Sequence, residues 1–484
     1  MRRLSRTIRS SARGIPVGET GRIVAIASPL ILSSLASMAI SITDVLMMGW
    51  LGPLALGNGA VASDLYSIFF YFAAAVVSAA TPMISQARGG GSRVEIARIQ
   101  RQSFWLAAAI GGGMAVPVWH ADTLLGWLRV QPEVVATGAP YARMMAIALP
   151  VFVLDIVWRN FLVAHENTRV LFHVTLSAIP INALGNYMLM FGNFGAPEMG
   201  LAGAGLASIV AGLWMLSVLS IFVLTRPAYR CYRLMRGLWR PRWTGLAEFL
   251  RIGVPMGFHS LGEVGAFLLS TVLMGIIGAE AVAAHAAALR VAGVLYAVPL
   301  GLSQAATVRV GYGVGARSVR TALHASRIAI GLALGTGLAY LLVVGAYHGT
   351  IVGWFIDPSA GNAEIFALAS LFLLIVAVMQ PFECGAVVVP GVLRGFRDTR
   401  VPMFYALACY WGIGIGGGLV LAFPLNRGGS GIWIGLLSGT IVLTVLLFAR
   451  FLRRQASIRR GDWSDALGQG APVDDGAAEA RVRE

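Results

Sequence analysis

Lysine is absent. All 37 basic residues of this 484-residue chain are arginine, and that absence removes two chemistries. A P-loop needs a lysine on the nucleotide phosphates, and a Schiff-base enzyme needs an amine nucleophile. Neither is available, so this chain is not fuelled by an ATPase of its own. Cysteine is scarce as well. Cys231, Cys384 and Cys409 are odd in number, far apart and without a CxxC, which gives neither a disulfide framework nor a metal knuckle. Charge is scarce too: Asp, Glu, Lys and Arg make up 12% of the residues, about half the ~25% of soluble domains. A soluble protein of this length could not cover its surface with so few charges. Soluble enzyme, disordered scaffold and secreted module are excluded.

What the chain has instead is apolar sequence, 57% hydrophobic with a mean hydropathy of +0.75. A helix needs about 20 apolar residues to cross the hydrocarbon. Twelve such runs occur, near 24–49, 61–85, 104–120, 144–164, 171–191, 201–225, 252–275, 281–308, 324–347, 364–392, 403–424 and 431–452. The first follows six arginines but is too long for the apolar core of a signal peptide. Arginine tests the count: with twelve spans, 33 of the 37 fall on one side. The net charge of +15 is therefore read as a topology signal with both termini cytoplasmic, and no nucleic-acid partner is expected. An all-arginine, Ala/Gly-rich composition points to a GC-rich bacterial genome, and so to the bacterial cytoplasmic (inner) membrane.

The second half repeats the first. A shift of 226 residues matches Pro29 to Pro255, Ser34-Leu35 to Ser260-Leu261, Met48-Gly49 to Met274-Gly275, Gly52 to Gly278 and Ala79-Ala80-Thr81 to Ala305-Ala306-Thr307. A shift of 231 matches Pro150 to Pro381 and Thr168-Arg169-Val170 to Thr399-Arg400-Val401. Six spans per half is even, so both halves enter the membrane in the same sense. The expected fold is all-α, twelve transmembrane helices in two six-helix halves related by a pseudo-two-fold along the membrane normal, with a central cleft. The chain divides into a basic cytoplasmic N-terminus (1–22), an N-terminal half (23–225), a cytoplasmic linker (226–251), a C-terminal half (252–455) and a disordered cytoplasmic tail (456–484). Pro29 and Pro255 are equivalent structural positions. The architecture is that of a transporter.

Acidic groups in hydrocarbon cost at least ~2.5–3.5 kcal/mol each on the insertion scale, so they face a cavity or a partner. Four are read within spans: Asp44, Asp155, Glu263 and Glu383. The repeat aligns none of them with another acid, so the scaffold is duplicated and the acids are not. Glu263 lies roughly 17 Å into its span, near mid-membrane, with His259 one turn earlier on the same face. Pro381 beside Glu383 can loosen that helix. Asp44 sits near the outer end of the first span, where a wetted structural role is the alternative. Asp155 has Arg159 four residues on, so an internal ion pair competes with a functional role. Asn182 and Asn186 share a face of the fifth span and either glue helices or supply ligands. His285 is read as structural.

Several segments resemble the multidrug and toxic compound extrusion (MATE) family, in its NorM-like branch. They are Ser28-Pro29 with Thr43-Asp44, Asn186-Tyr187 leading into Phe191 to Gly200, Gly253-Val254-Pro255 with Glu263, Val282-Ala283-Ala284-His285, and Leu393-Arg394-Gly395-Phe396-Arg397-Asp398. The resemblance implies an antiporter that expels lipophilic organic cations while H⁺ or Na⁺ moves inward, without a cofactor. It implies functional carboxylates at Asp44, Glu263 and Glu383, and the mechanism expected from unpaired acids on a duplicated scaffold takes H⁺ or Na⁺ at Glu263 and Glu383. It also implies that Asn182 and Asn186 lie near the first-half cavity. Asp155 is added to the ion-coupling set and His259 to the cavity. The expected partners are small organic cations and the lipid bilayer, with the chain acting as a monomer. No HExxH, GxSxG or paired catalytic motif occurs, so no enzyme is expected. The competing reading is a lipid-linked oligosaccharide flippase of the same broad fold, which would need arginines in the cavity. Only Arg290 is a candidate for that role.

Overall fold

The computed structural model describes residues 18–127, 130–237, 243–358, 360–461 and 463. Most of the basic N-terminus and most of the tail expected to be disordered lie outside them. Among the described residues the chain is almost wholly helical. The spans are α1 (Glu19–Trp50), α2 (Pro53–Gly89), α3 (Arg93–Trp119, bent by 58° into Ala121–Trp127), α4 (Pro132–Ala164), α5 (Arg169–Phe191) and α6 (Leu201–Thr225). The second half follows with α7 (Trp243–Ile277), α8 (Ala279–Gly315), α9 (Val319–Gly353), α10 (Ala363–Gly395), α11 (Arg400–Ala422) and α12 (Gly428–Arg459). Helices overrun the apolar runs because backbone hydrogen bonding continues into the interface after hydropathy has fallen. Thus α1 opens at Glu19 and α7 at Trp243, inside stretches read as N-terminus and linker, and α12 runs to Arg459.

The repeat is visible in the backbone. Gly52 and Gly278 both cap the second helix of their half at positive φ, 117° and 154°, a conformation open to glycine. Ser92 and Ser318 are equivalent N-caps, each side chain accepting from the backbone N–H three residues on, which satisfies an orphan helix donor. Packing repeats with them: α4 packs on α2, α3 and α6, as α10 does on α8, α9 and α12. Gly111 abuts Pro150 and the equivalent Gly337 abuts Pro381.

The halves meet through α1 with α8 and α2 with α7, pairs that exchange under the pseudo-two-fold. The contacts concentrate toward the arginine-rich face. Gly301 lies on Ile31 and the Ala27 carbonyl, Gly253 on the Val76 carbonyl, and Gly257 on Phe72. α2 meets α8 through its last turns, 80–89, and the part Pro53–Val77 does not pack there. At that crossing a Cβ on Gly89 would strike the Tyr312 carbonyl, and one on Gly315 would strike the Gln86 carbonyl. Residues 86 and 312, and 89 and 315, are 226 apart. One contact is the symmetry mate of the other, so α2 and α8 cross on the pseudo-two-fold axis. The halves are therefore joined at the arginine-rich face, and α2 and α8 part toward the opposite face.

Candidate functional site

In the N-terminal half, α1 and α5 bring three polar residues together. Asn186 Nδ2 donates to Asp44 Oδ1 at 2.6 Å and approaches Asn182 Oδ1 at 3.4 Å. Both asparagines are fully buried, Asn182 also acts on Asp44, and Asn186 Oδ1 has no hydrogen-bond partner among the described residues. Asp44 is half-buried and held by an amide rather than left at a wetted rim. A carboxylate beside buried amide groups is a polar socket that favours a cation.

The C-terminal half builds a second cluster from four helices. Glu263 on α7 is hydrogen-bonded by Tyr296 of α8, and Glu383 of α10 lies close enough for the two carboxyl groups to repel. Glu383 is 4% exposed and its Oε2 has no hydrogen-bond partner. Tyr410 of α11 is buried against both acids. It stands in a π-helical stretch, Ala408–Ile415, and such wide turns re-aim side chains and gather at functional sites. The adjoining Trp411 donates from Nε1 to the Gly262 carbonyl at 3.0 Å, fixing α11 beside Glu263. Two acids that repel at short range are stabilised by one shared cation.

Three expectations change. His259 shares a helical face with Glu263 but makes no hydrogen bond to it. It is buried one turn nearer the arginine-rich face, in a small pocket with Met256, Pro390, Arg394 and Asp398. Tyr296 takes the place beside Glu263 that the spacing offered to His259. Asp155 stands apart from both clusters. It pairs with Arg159 at 2.6 Å, and Arg159 reaches Thr175 at 2.9 Å and Ser33 at 3.4 Å, tying α4 to α5 and α1. Arginines within helical spans are also more numerous than Arg290 alone. Arg159 and Arg309 lie inside helices, and Arg394, read as loop, ends α10 within electrostatic reach of Glu263. His285, read as structural, contacts Ser270 and Thr271 at 3.4 and 3.2 Å and lies against Trp433.

Sequence reasoning passed over Tyr296, Tyr410 as an acid partner, and Asp64, a fifth acid inside α2. Asp64 stands near the start of its apolar run, where the hydropathy edge hid it. The run 61–85 nevertheless contains it.

At the arginine-rich face an ion network closes the base of the cleft. Arg309 of α8, 3% exposed, bonds Glu19 at 2.6 Å and Glu166 at 2.9 Å. Arg88 also bonds Glu166 at 2.9 Å, and Gln86 donates to the Gly395 carbonyl at 2.9 Å. Arg98 of α3 approaches Glu248 of α7 at 3.6 Å. Glu166 lies in the loop after α4. Burial works to raise its pKa, but Arg88 and Arg309 outweigh burial and hold it below the ordinary glutamate value.

The MatE family model matches residues 29–188 and 255–420, one stretch in each half. The chain is 37% identical over 434 residues to the probable multidrug resistance protein NorM of Mesorhizobium japonicum, covering 89% of this chain and 93% of that protein. It is 36% identical over 435 residues to the protein of the same name from Brucella suis, covering 89% and 92%. Among solved structures, the eukaryotic MATE transporter AtDTX14 superposes with a TM-score of 0.80 at 22% identity, covering 92% of this chain and 99% of that one. The outward-facing conformation of a multidrug resistance MATE family transporter gives 0.82 at 18% identity, covering 91% and 97%. These two likenesses speak for the fold, and the family match and the 36–37% relatives speak for descent. With a family match in each half and relatives along nearly its whole length, this chain belongs to the MatE family of multi-pass membrane transporters, which are not enzymes.

Proposed function

We propose that this protein is an antiporter that exports lipophilic organic cations by alternating access, driven by H⁺ or Na⁺ moving inward through Glu263 and Glu383. The observation that carries the reading is the carboxyl pair, half-buried Glu263 held by Tyr296 and buried Glu383 whose Oε2 has no hydrogen-bond partner among the described residues, in a duplicated scaffold whose halves meet at the arginine-rich face. The arginine bias assigns the closed face, with both termini, to the cytoplasm of a bacterial inner membrane. The open mouth then faces outward. Relatives named as multidrug resistance proteins support small-molecule export as the task.

In the outward-open state the coupling cation settles between Glu263 and Glu383 and cancels their repulsion. This removes negative charge that would otherwise hold an organic cation, which leaves toward the open side. The halves then rock, the inner mouth opens, the coupling ion departs and the carboxylates become available for the next organic cation. Asp44 with Asn182 and Asn186 supplies a second cation-favouring socket in the other half. The coupling ion does the work, so no cofactor is needed, and a single chain supplies both halves of the cleft. Of the arginines inside spans, Arg159 and Arg309 are engaged by acids while Arg290 is not, and a single arginine is a poor holder for a lipid pyrophosphate. That favours export over the flippase.

The test is efflux of a fluorescent lipophilic cation from proteoliposomes with a pH gradient and a Na⁺ gradient imposed separately. Efflux driven by one of them supports antiport and names the ion. No efflux under either, from protein shown to be folded, overturns it.

A further inference from the structure

Asp64 and Arg290 are 226 residues apart, so the repeat places them at equivalent positions of α2 and α8. Each lies roughly 17 Å below the first residue of its helix, and so at matching depth. Each is exposed, and among the described residues neither has an ion pair or hydrogen bond. An exposed charge that deep is stable only toward water. The cleft is where these two find it. About seven helical turns separate Asp64 from Gly89, and the same number separates Arg290 from Gly315. Arg290 therefore stands above Gly315 on one face of α8, and its repeat mate Asp64 takes the equivalent place on α2. Those glycines make the symmetric contacts with Tyr312 and Gln86 at the α2–α8 crossing. Arg290 also shares its stripe with Gly301, which lies on Ile31 of α1 in the other half. Residues related by a two-fold lie on opposite sides of its axis at equal distance from it, and α2 and α8 already cross on that axis at the closed face.

We propose that Asp64 and Arg290 are a positioning pair for transport: they meet as an ion pair on the axis when the outer mouth closes, and hold the inward-open state. The proposal rests on the alternating-access reading. It also explains why a scaffold with equivalent positions carries opposite charges there, since like charges would resist closure. The Arg309–Glu19–Glu166 network is the corresponding lock at the other face, made in the state described above.

The test uses the full chain in lipid nanodiscs, with Cys231→Ser, Cys384→Ala and Cys409→Ala as background. Spin labels go on the exposed rim pair Leu54→Cys and Glu280→Cys, which are also 226 apart. Distances are measured with tetraphenylphosphonium as the organic cation and with H⁺ or Na⁺ varied. A short rim distance reports closure. Asp64→Arg alone and Arg290→Asp alone should each lower the closed-to-open ratio at least about tenfold, and the double exchange should return it to within about threefold. Unchanged single variants, or a double exchange no better than either single one, overturn the proposal. In a separate sample, Asp64→Cys with Arg290→Cys should form a disulfide on oxidation, which needs the two backbones within about 7 Å. Failure to cross-link while the rim pair closes in the background protein sinks the proposal and leaves alternating access standing. A rim that never closes under any condition sinks both.

Discussion

Arg309 grips Glu19 with two hydrogen bonds, Nε to Oε1 at 2.6 Å and Nη2 to Oε2 at 2.9 Å, while its Nη1 reaches Glu166 at 2.9 Å. One nearly inaccessible guanidinium on α8 thus ties the C-terminal half to two segments of the other half. Removing Arg309 strands Glu19, while Glu166 keeps only Arg88. Arg309→Gln is therefore expected to open the arginine-rich face. Spin labels at Val94→Cys and Arg320→Cys, both outside the network, should lengthen in this variant and shift the population away from the state described here.

The same lock should respond to acid. Burial pushes the Glu166 carboxyl up, but Arg88 and Arg309 more than offset it, and the folded value lies below the ordinary 4.5. A depressed carboxyl stabilises the closed arrangement fully above the ordinary value, and that contribution is lost as pH falls through the lowered one. The Val94–Arg320 label distance is expected to hold steady from neutral pH down to about that ordinary value and to lengthen only below it. In Glu166→Gln this acid step should be absent.

Asp44 and Asn186 form the tightest polar contact of the first-half socket. Asp44→Asn keeps the shape and removes the charge, so binding of an organic cation should weaken by about tenfold, worth about 1.4 kcal/mol. Asn186→Leu leaves the carboxylate without its donor, at a cost of about 1–3 kcal/mol, and should lower thermal stability as well as binding. Asn182→Leu removes the 3.4 Å approach to Asn186 and a contact with Asp44 weaker than that of Asn186, and a smaller loss is expected. Equilibrium binding of tetraphenylphosphonium and a melting curve for each variant distinguish the three.

At Glu383 the free Oε2 marks the ligand-facing oxygen. Glu383→Asp withdraws the carboxyl by one methylene yet keeps its charge. Ion-driven efflux should continue at a reduced rate, roughly one-tenth of wild type for about 1.4 kcal/mol of lost interaction. Glu383→Gln removes the charge, and efflux should fall to background. Equal rates in the two variants would assign Glu383 a packing role.

Much of the fold was legible because its causes are local. Twelve apolar runs, the one-sided arginines and the 226-residue shift all report on hydrogen bonding and hydrophobic burial along the chain. The carboxylates and Asn182–Asn186 were legible because charge and amide are costly in apolar helices. What these residues touch was not. Helical period puts His259 and Glu263 on one face, but it does not show that α10 ends with Arg394 beside the lower residue while α8 brings Tyr296 to the upper one. The π-helical turn that seats Tyr410 depends on packing against α12, which periodicity cannot register. Arg394 was read as loop because hydropathy ends before the helix does.

The most direct test of the account follows both ions in one preparation. Wild-type protein and the Glu263→Gln/Glu383→Gln variant are reconstituted side by side, and tetraphenylphosphonium efflux is recorded together with inward H⁺ and Na⁺ flux. The wild type should move one of the two ions inward in fixed proportion to the organic cation leaving, and the variant should move neither. Coupled exchange persisting in the variant at the wild-type rate would contradict the central claim that the Glu263–Glu383 pair is where the two cations compete.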